Sequence, residues 1–269
     1  MRPRISRRSL LAVLSFTALA ACHQATEPDA DSTAFDPGPP ACGPVVFEDV
    51  PLTECIAVPG RDHIRLVLSG EDGKPYRSFR AFADDRPGDA APVAFAMNAG
   101  MFNDEGEPIG YYVADGKRLT VLNRNNGPGN FHLKPNGVFF GSGDSWQVLD
   151  TDTFAKEVTD RPDFATQSGP MLVIDGESHP GFDPDGTSLK MRNGVGVDET
   201  GRAHFVISEA PVSFGRFARY FRDVARTPNA LFLDGSVSSL WDPVHERMDS
   251  RVPLGPLVVV ERDPRRVQK

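Results

Sequence analysis

The sequence predicts an α+β fold, a single domain with a mixed, mainly antiparallel β-sheet core and a few packed helices. Three observations carry that expectation. Proline and glycine number 24 and 25 of 269 residues, as in chains with many tight turns. Short apolar or alternating runs of strand length recur between those turns. Only one stretch has convincing helical periodicity. The composition, 39% hydrophobic and 25% charged, suits one globular domain once an N-terminal leader is set aside. A net charge of -8 argues against nucleic-acid binding, which needs a basic face.

In chain order, residues 1–22 read as a lipoprotein-type signal peptide. Arg2, Arg4, Arg7 and Arg8 form its charged region, and Leu10 to Ala21 form an apolar run too short to span a bilayer. The run ends Leu19-Ala20-Ala21-Cys22, which resembles a bacterial lipobox. Cys22 is therefore expected to carry lipid and to anchor the exported domain to the bacterial envelope, facing the periplasm. Ser6-Arg7-Arg8-Ser9-Leu10-Leu11 also resembles a twin-arginine export signal. Lipidation of Cys22 leaves Cys42 and Cys55 as a pair, and an oxidising compartment favours closing them into a disulfide. Residues 23–40 are dominated by Asp, Pro, Ala and Thr and read as a flexible tether. The folded domain is expected over 41–269.

Strands are expected at His63–Leu68, Val93–Met97, Gly137–Phe140, Ser145–Leu149 and Met171–Ile174. Others follow at Gly194–Val197, His204–Ser208, Leu231–Leu233 and Leu257–Glu261. Ser213 is the expected N-cap of the one long helix, with Phe214, Phe217, Ala218, Phe221, Val224 and Ala225 on its apolar face. Arg216, Arg219, Arg222 and Arg226 fall largely on the opposite, solvated face. Shorter helices are expected near Tyr76–Ala83 and Thr153–Val158.

Function points to the strand ends. Five runs of strand lead into or out of polar loops, and the most suggestive is Ala230-Leu-Phe-Leu-Asp-Gly-Ser-Val-Ser-Ser239. There a carboxylate, Asp234, sits at a strand end before Gly235, which lets the backbone approach a ligand, and before the hydroxyls of Ser238 and Ser239. The other four present Asn98; Lys134 and Asn136; Ser168; and Arg192. Each alone is explained by a turn or a loop charge. Together they suit a ligand that is part sugar and part anion, with Arg192 offering a planar fork and Lys134 a point charge. No G-x-S-x-G, H-E-x-x-H or P-loop pattern occurs. Asp183-Pro-Asp185-Gly186 reads as a turn rather than a calcium loop, and no cofactor is expected.

The runs MNAGMF, GPGNFHLKPNGVFF, FATQSGPMLVIDG, RNGVGV and NALFLDGSVSSLW, in this order, resemble the phosphodiester glycosidase family, and in particular a bacterial exported branch of it. The resemblance covers about Pro92 to Val260. It implies hydrolysis of a sugar-1-phosphodiester at the glycosidic C–O bond, with a phosphorylated glycan as partner. On that chemistry Asp234 activates water or stabilises the sugar cation, and Glu209 is a candidate second carboxylate. Arg192 and Lys134 hold the phosphate, while Asn98, Asn136, Ser168, Ser238 and Ser239 orient sugar and phosphate oxygens. A lipid-anchored binding protein that captures the same ligand without cleaving it is the rival expectation, and a purely structural envelope lipoprotein is a third.

Overall fold

The computed structural model describes residues 39–262. The expected signal peptide, Cys22 and most of the tether lie outside them. A hairpin opens the described chain, β1 (Cys42–Phe47) and β2 (Val50–Ala57), turning through Glu48 and Asp49 at positive φ. Next come β3 (Asp62–Val67), helix α1 (Phe79–Asp84) and β4 (Val93–Asn98). A middle section follows with β5 (Tyr112–Ala114), β6 (Lys117–Thr120), β7 (Gly137–Ser142), β8 (Ser145–Asp150), helix α2 (Thr151–Glu157) and β9 (Phe164–Ser168). After it run β10 (Met171–Ile174), β11 (Glu177–Ser178), β12 (Asn193–Val197), β13 (Ala203–Ser208) and helix α3 (Phe214–Arg219). The described chain closes with β14 (Asn229–Phe232), β15 (Leu240–Asp242), β16 (Arg247–Met248) and β17 (Leu257–Arg262).

These strands build three sheets. Their orders are β1-β2-β13-β12-β14-β10-β11, β16-β15-β4-β17-β3 and β6-β5-β9-β7-β8. Every pairing within them is antiparallel. Each sheet sends residues into one shared core. Phe205 of the first sheet meets Phe95 of the second at 5.3 Å and Phe139 of the third at 5.6 Å, both edge-on, the geometry aromatic quadrupoles favour. The consequence for function is topological. β14 belongs to the first sheet, but the chain after it crosses to β15 in the second. β9 belongs to the third sheet, but the chain after it enters β10 in the first. Both crossings leave polar residues beside the end of β4.

All nine expected strands are present, with ends shifted by no more than two residues. The long helix differs from expectation. Ser213 does cap it, its Oγ accepting from the Arg216 amide at 3.2 Å, but α3 has only six residues and passes into a π-helical turn, Tyr220–Val224. A wider turn rotates the positions that follow it. Phe217, Ala218, Phe221 and Ala225 keep the buried face, whereas Val224 is 47% exposed. The arginines lie on a solvated face as expected, and they are also paired there: Arg216 and Arg219 bind Glu48, and Arg222 binds Asp223.

Cys42 and Cys55 face each other across the β1–β2 hairpin and form a disulfide. Closing a 13-residue separation stabilises by about 3 kcal/mol in the loop-entropy account. The double variant Cys42→Ser/Cys55→Ser is therefore expected to unfold at lower denaturant. An unchanged midpoint would show that the hairpin does not need the bond.

Beneath the same hairpin His204 is held between two carboxylates. Glu54 meets its Nδ1 at 2.9 Å and Asp198 its Nε2 at 3.1 Å. Burial alone would lower the His204 pKa, but the hydrogen bonds and charges of Glu54 and Asp198 outweigh it and raise the value. A raised histidine pKa stabilises fully below the unfolded value, about 6.5, and that contribution is lost as pH rises through the folded value. His204→Gln should therefore cost most stability in mild acid, with the gap to the native chain narrowing in alkali. A gap constant from pH 5.5 to 8.5 in urea titrations would contradict the assignment.

Candidate active site

Asp234 is placed by three backbone bonds from three strand ends. Its own amide donates to the Ala99 carbonyl after β4, at 3.3 Å. The Leu233 amide donates to Asn193 at the start of β12, at 3.0 Å, and the Phe232 amide to Pro170 between β9 and β10, also at 3.0 Å. Side chains reinforce this. Asn98 Nδ2 donates to the Asp234 carbonyl at 2.8 Å, and Asn98 Oδ1 accepts from the Ser239 amide at 2.9 Å and from Asn193 Nδ2 at 3.0 Å. Asn193 Oδ1 in turn accepts from Ser238 Oγ at 3.3 Å. Asn98, Asn193 and Ser239 are all buried. A fully connected buried amide pair of this kind rigidifies the loop it holds.

The carboxylate itself is buried, and its Oδ1 accepts from the Ser236 amide at 3.2 Å and from Ser236 Oγ at 2.6 Å. Burial pushes its pKa up, only partly offset by the two Ser236 hydrogen bonds. Oδ2 makes no protein hydrogen bond among the described residues. Gly235 follows because nothing larger fits: a Cβ there would stand 2.6 Å from the Phe232 ring and 2.9 Å from the Met191 carbonyl.

Beside this loop lies a cavity of about 440 Å³, lined by Asn130, Lys190, Met191, Arg192, Phe232, Gly235 and Ser236. Arg192 is almost fully buried and has no carboxylate partner among the described residues. Its Nε donates to Val212 at 2.8 Å and one amino group to Ser188 at 3.0 Å, both backbone carbonyls. Its guanidinium carbon lies 3.5 Å above the centre of the Phe214 ring. Burial lowers its pKa to about 10, so it stays charged at neutral pH. Arg192 is thus a buried cation that lines a cavity with no carboxylate paired to it among the described residues.

The remaining expected residues divide. Ser168 ends β9 at the same junction of sheets, and its buried hydroxyl has no partner among the described residues. Ser238 shares its hydroxyl between the Gly235 carbonyl and Asn193 Oδ1, and Ser239 gives its own to the Val237 carbonyl, which ties both into the loop. Lys134 and Asn136 line a different cavity, of about 220 Å³, with Arg124, Asp150 and Asp152. There Lys134 Nζ donates to the Arg124 carbonyl at 2.8 Å, and Asn136 Nδ2 to Phe131 at 2.9 Å. Glu209 is exposed and bound to Thr53 at 2.6 Å and to Arg247, outside the Arg192 cavity. Lys190 and Asn193 enter the site unannounced. Lys190, two residues before Arg192, forms an isolated bridge with Val212, a long-range pairing that the sequence does not signal. Asn193 hides as half of an Asn-Gly pair that reads as a turn. Asp183 to Gly186 forms the expected turn, closed by the Gly186 amide on the Asp183 carbonyl at 3.1 Å.

The phosphodiester glycosidase family model matches residues 91–252, a span that includes Asn98, Ser168, Arg192 and Asp234. An uncharacterized protein of Escherichia coli K12, YigE, is 32% identical over 206 residues, covering 76% of this chain and 79% of that protein. Among solved structures, the catalytic domain of zebrafish N-acetylglucosamine-1-phosphodiester alpha-N-acetylglucosaminidase, auto-inhibited by its pro-peptide, superposes with a TM-score of 0.56. That match has 15% identity and covers 85% of this chain and 86% of the other, a likeness of fold.

Proposed function

The chain belongs to the phosphodiester glycosidase family, and on that premise we propose that it hydrolyses the glycosidic C–O bond of a sugar-1-phosphodiester. The observation that carries this reading is Arg192, a buried guanidinium without a carboxylate partner, opening onto the same cavity as the Asp234 loop. The departing group is a phosphate monoester, already a stable anion, so protonation by a strong general acid is not required. What the reaction needs is a holder for that phosphate, a stabiliser for the oxocarbenium-like sugar and a base for water.

Arg192 holds the phosphate oxygens, and Lys190 takes the second cationic role that the sequence suggested for Lys134. The free Oδ2 of Asp234 accepts a proton from water or faces the developing sugar cation, and its raised pKa makes it a better base than an exposed aspartate. Ser236 lines the cavity and supplies a hydroxyl there, whereas Ser168 is fully buried and stands outside the lining. Glu209, tied to Arg247, has no part in this chemistry. The domain is read as exported and lipid-anchored through Cys22 on the envelope, and a disulfide in the hairpin accords with an oxidising compartment.

Incubation with a panel of sugar-1-phosphodiesters tests the reading. Release of free sugar and phosphate monoester supports it. Ligand-induced thermal stabilisation without release across the panel would replace it with a binding protein.

A further inference from the structure

We propose that Phe214 is a positioning residue for Arg192, the last of three stacked rings that hold the guanidinium plane so that its free edge faces the cavity. This rests on the reading of Arg192 as the phosphate holder. The stack begins at His179, whose buried ring lies 4.6 Å from Phe182 with planes 24° apart. Phe182 lies 4.8 Å from Phe214 with planes 9° apart, and the Arg192 guanidinium carbon sits 3.5 Å above Phe214. Phe232 stands edge-on to Phe214 at 4.9 Å and closes the side of the stack.

Both ends are fixed. At the outer end His179 Nδ1 accepts from the Gly181 amide at 3.0 Å, and its Nε2 lies 3.1 Å from the Lys134 carbonyl. Accepting at Nδ1 leaves Nε2 as the donor, so this ring is neutral. At the inner end one tripeptide serves Arg192 twice. The Val212 carbonyl takes Nε, Ser213 caps α3, and Phe214, the first residue of that helix, covers the face of the guanidinium.

The chemistry explains why rings and carbonyls hold this cation rather than an aspartate. A carboxylate would orient the guanidinium but neutralise it and compete with the incoming phosphate. An aromatic face and two carbonyls orient it and leave its charge available. Arg192 is thus aimed before the anion arrives, which lowers the ordering cost of binding.

Calorimetric titration of the full protein with inorganic phosphate tests this, using the native chain, Phe214→Leu, Phe214→Tyr and Phe182→Leu. Phe214→Leu should weaken phosphate binding about tenfold. Phe214→Tyr, which keeps the ring, should bind as the native chain does, and Phe182→Leu, one ring further out, should lose less than Phe214→Leu. With a cleavable diester the loss should fall on KM, with kcat kept. Equal phosphate affinity for the native chain and both leucine variants would overturn the inference while leaving Arg192 as the holder. No phosphate binding by the native chain would overturn both.

Discussion

Asp234→Asn is expected to lower turnover of a sugar-1-phosphodiester by about a thousandfold, the scale of a lost general base, while the protein stays folded. The substitution is nearly isosteric. An asparagine Oδ1 can still accept from the Ser236 amide and hydroxyl, and the backbone bonds of residue 234 to Ala99 and Asn98 do not depend on the side chain. Only the charge and basicity of the free oxygen are removed. Stability gives an independent sign. Burial raises the Asp234 pKa, so the ionised form is disfavoured in the folded chain relative to the unfolded one, and at neutral pH the native carboxylate costs stability. The variant should therefore melt at or above the native temperature. Loss of activity with that thermal behaviour marks a group kept for chemistry at the expense of stability. Retained turnover would remove Asp234 from the mechanism, and a large fall in melting temperature would make its role structural.

Arg192→Met is expected to abolish inhibition by inorganic phosphate and to lower kcat/KM by about a hundredfold or more, roughly 3 kcal/mol of transition-state binding. Methionine fills much of the same buried volume without charge, so the effect isolates the guanidinium. Arg192→Lys should restore little. An ammonium has no planar fork to satisfy the Val212 and Ser188 carbonyls together, and it loses the guanidinium's contact over the Phe214 ring. Phosphate inhibition measured against a chromogenic diester distinguishes these cases. Full recovery in the lysine variant would mean that Arg192 acts as a point charge only, and unchanged inhibition in the methionine variant would move the phosphate elsewhere.

How much of this was legible in the sequence depends on which forces fix each residue. Apolar runs such as Met171–Ile174 and the stretch from Leu257 to Val260 announce themselves because burial on both faces demands uninterrupted hydrophobic residues. β9 did not, since Thr166, Gln167 and Ser168 read as loop, yet all three are buried and two have protein hydrogen bonds: Thr166 Oγ1 accepts from the Gly100 amide, and Gln167 Oε1 from those of Tyr111 and Asn123. A polar strand is stable only through partners distant in sequence, and local patterning cannot show them. The β1–β2 hairpin was missed for a related reason: Pro44 and Pro51 argue against strands, but both lie where pairing tolerates them.

The site shows the same division. Asp234 and Arg192 stand out as charged residues at strand ends, and the fold brings Arg192 to the same cavity as Gly235 and Ser236, the two residues that follow Asp234. Lys134 has the same local signature and goes elsewhere. The turn from Asn130 to His132 precedes it, and its amine is used by the carbonyl of Arg124, neither of which spacing reveals. Glu209 is drawn off by Arg247, 38 residues away. Asn98 was expected to touch substrate and instead holds the Asp234 loop, a role visible only once β4, β12 and β14 are assembled side by side.

The central claim is cleavage at the sugar carbon rather than at phosphorus, and isotope placement decides it. Hydrolysis of a sugar-1-phosphodiester by the protein in water enriched with oxygen-18 should put the label on the anomeric hydroxyl of the released sugar and leave the phosphate monoester unlabelled. Label in the phosphate would mean attack at phosphorus, and would contradict the glycosidase reading and the roles given to Asp234 and Arg192.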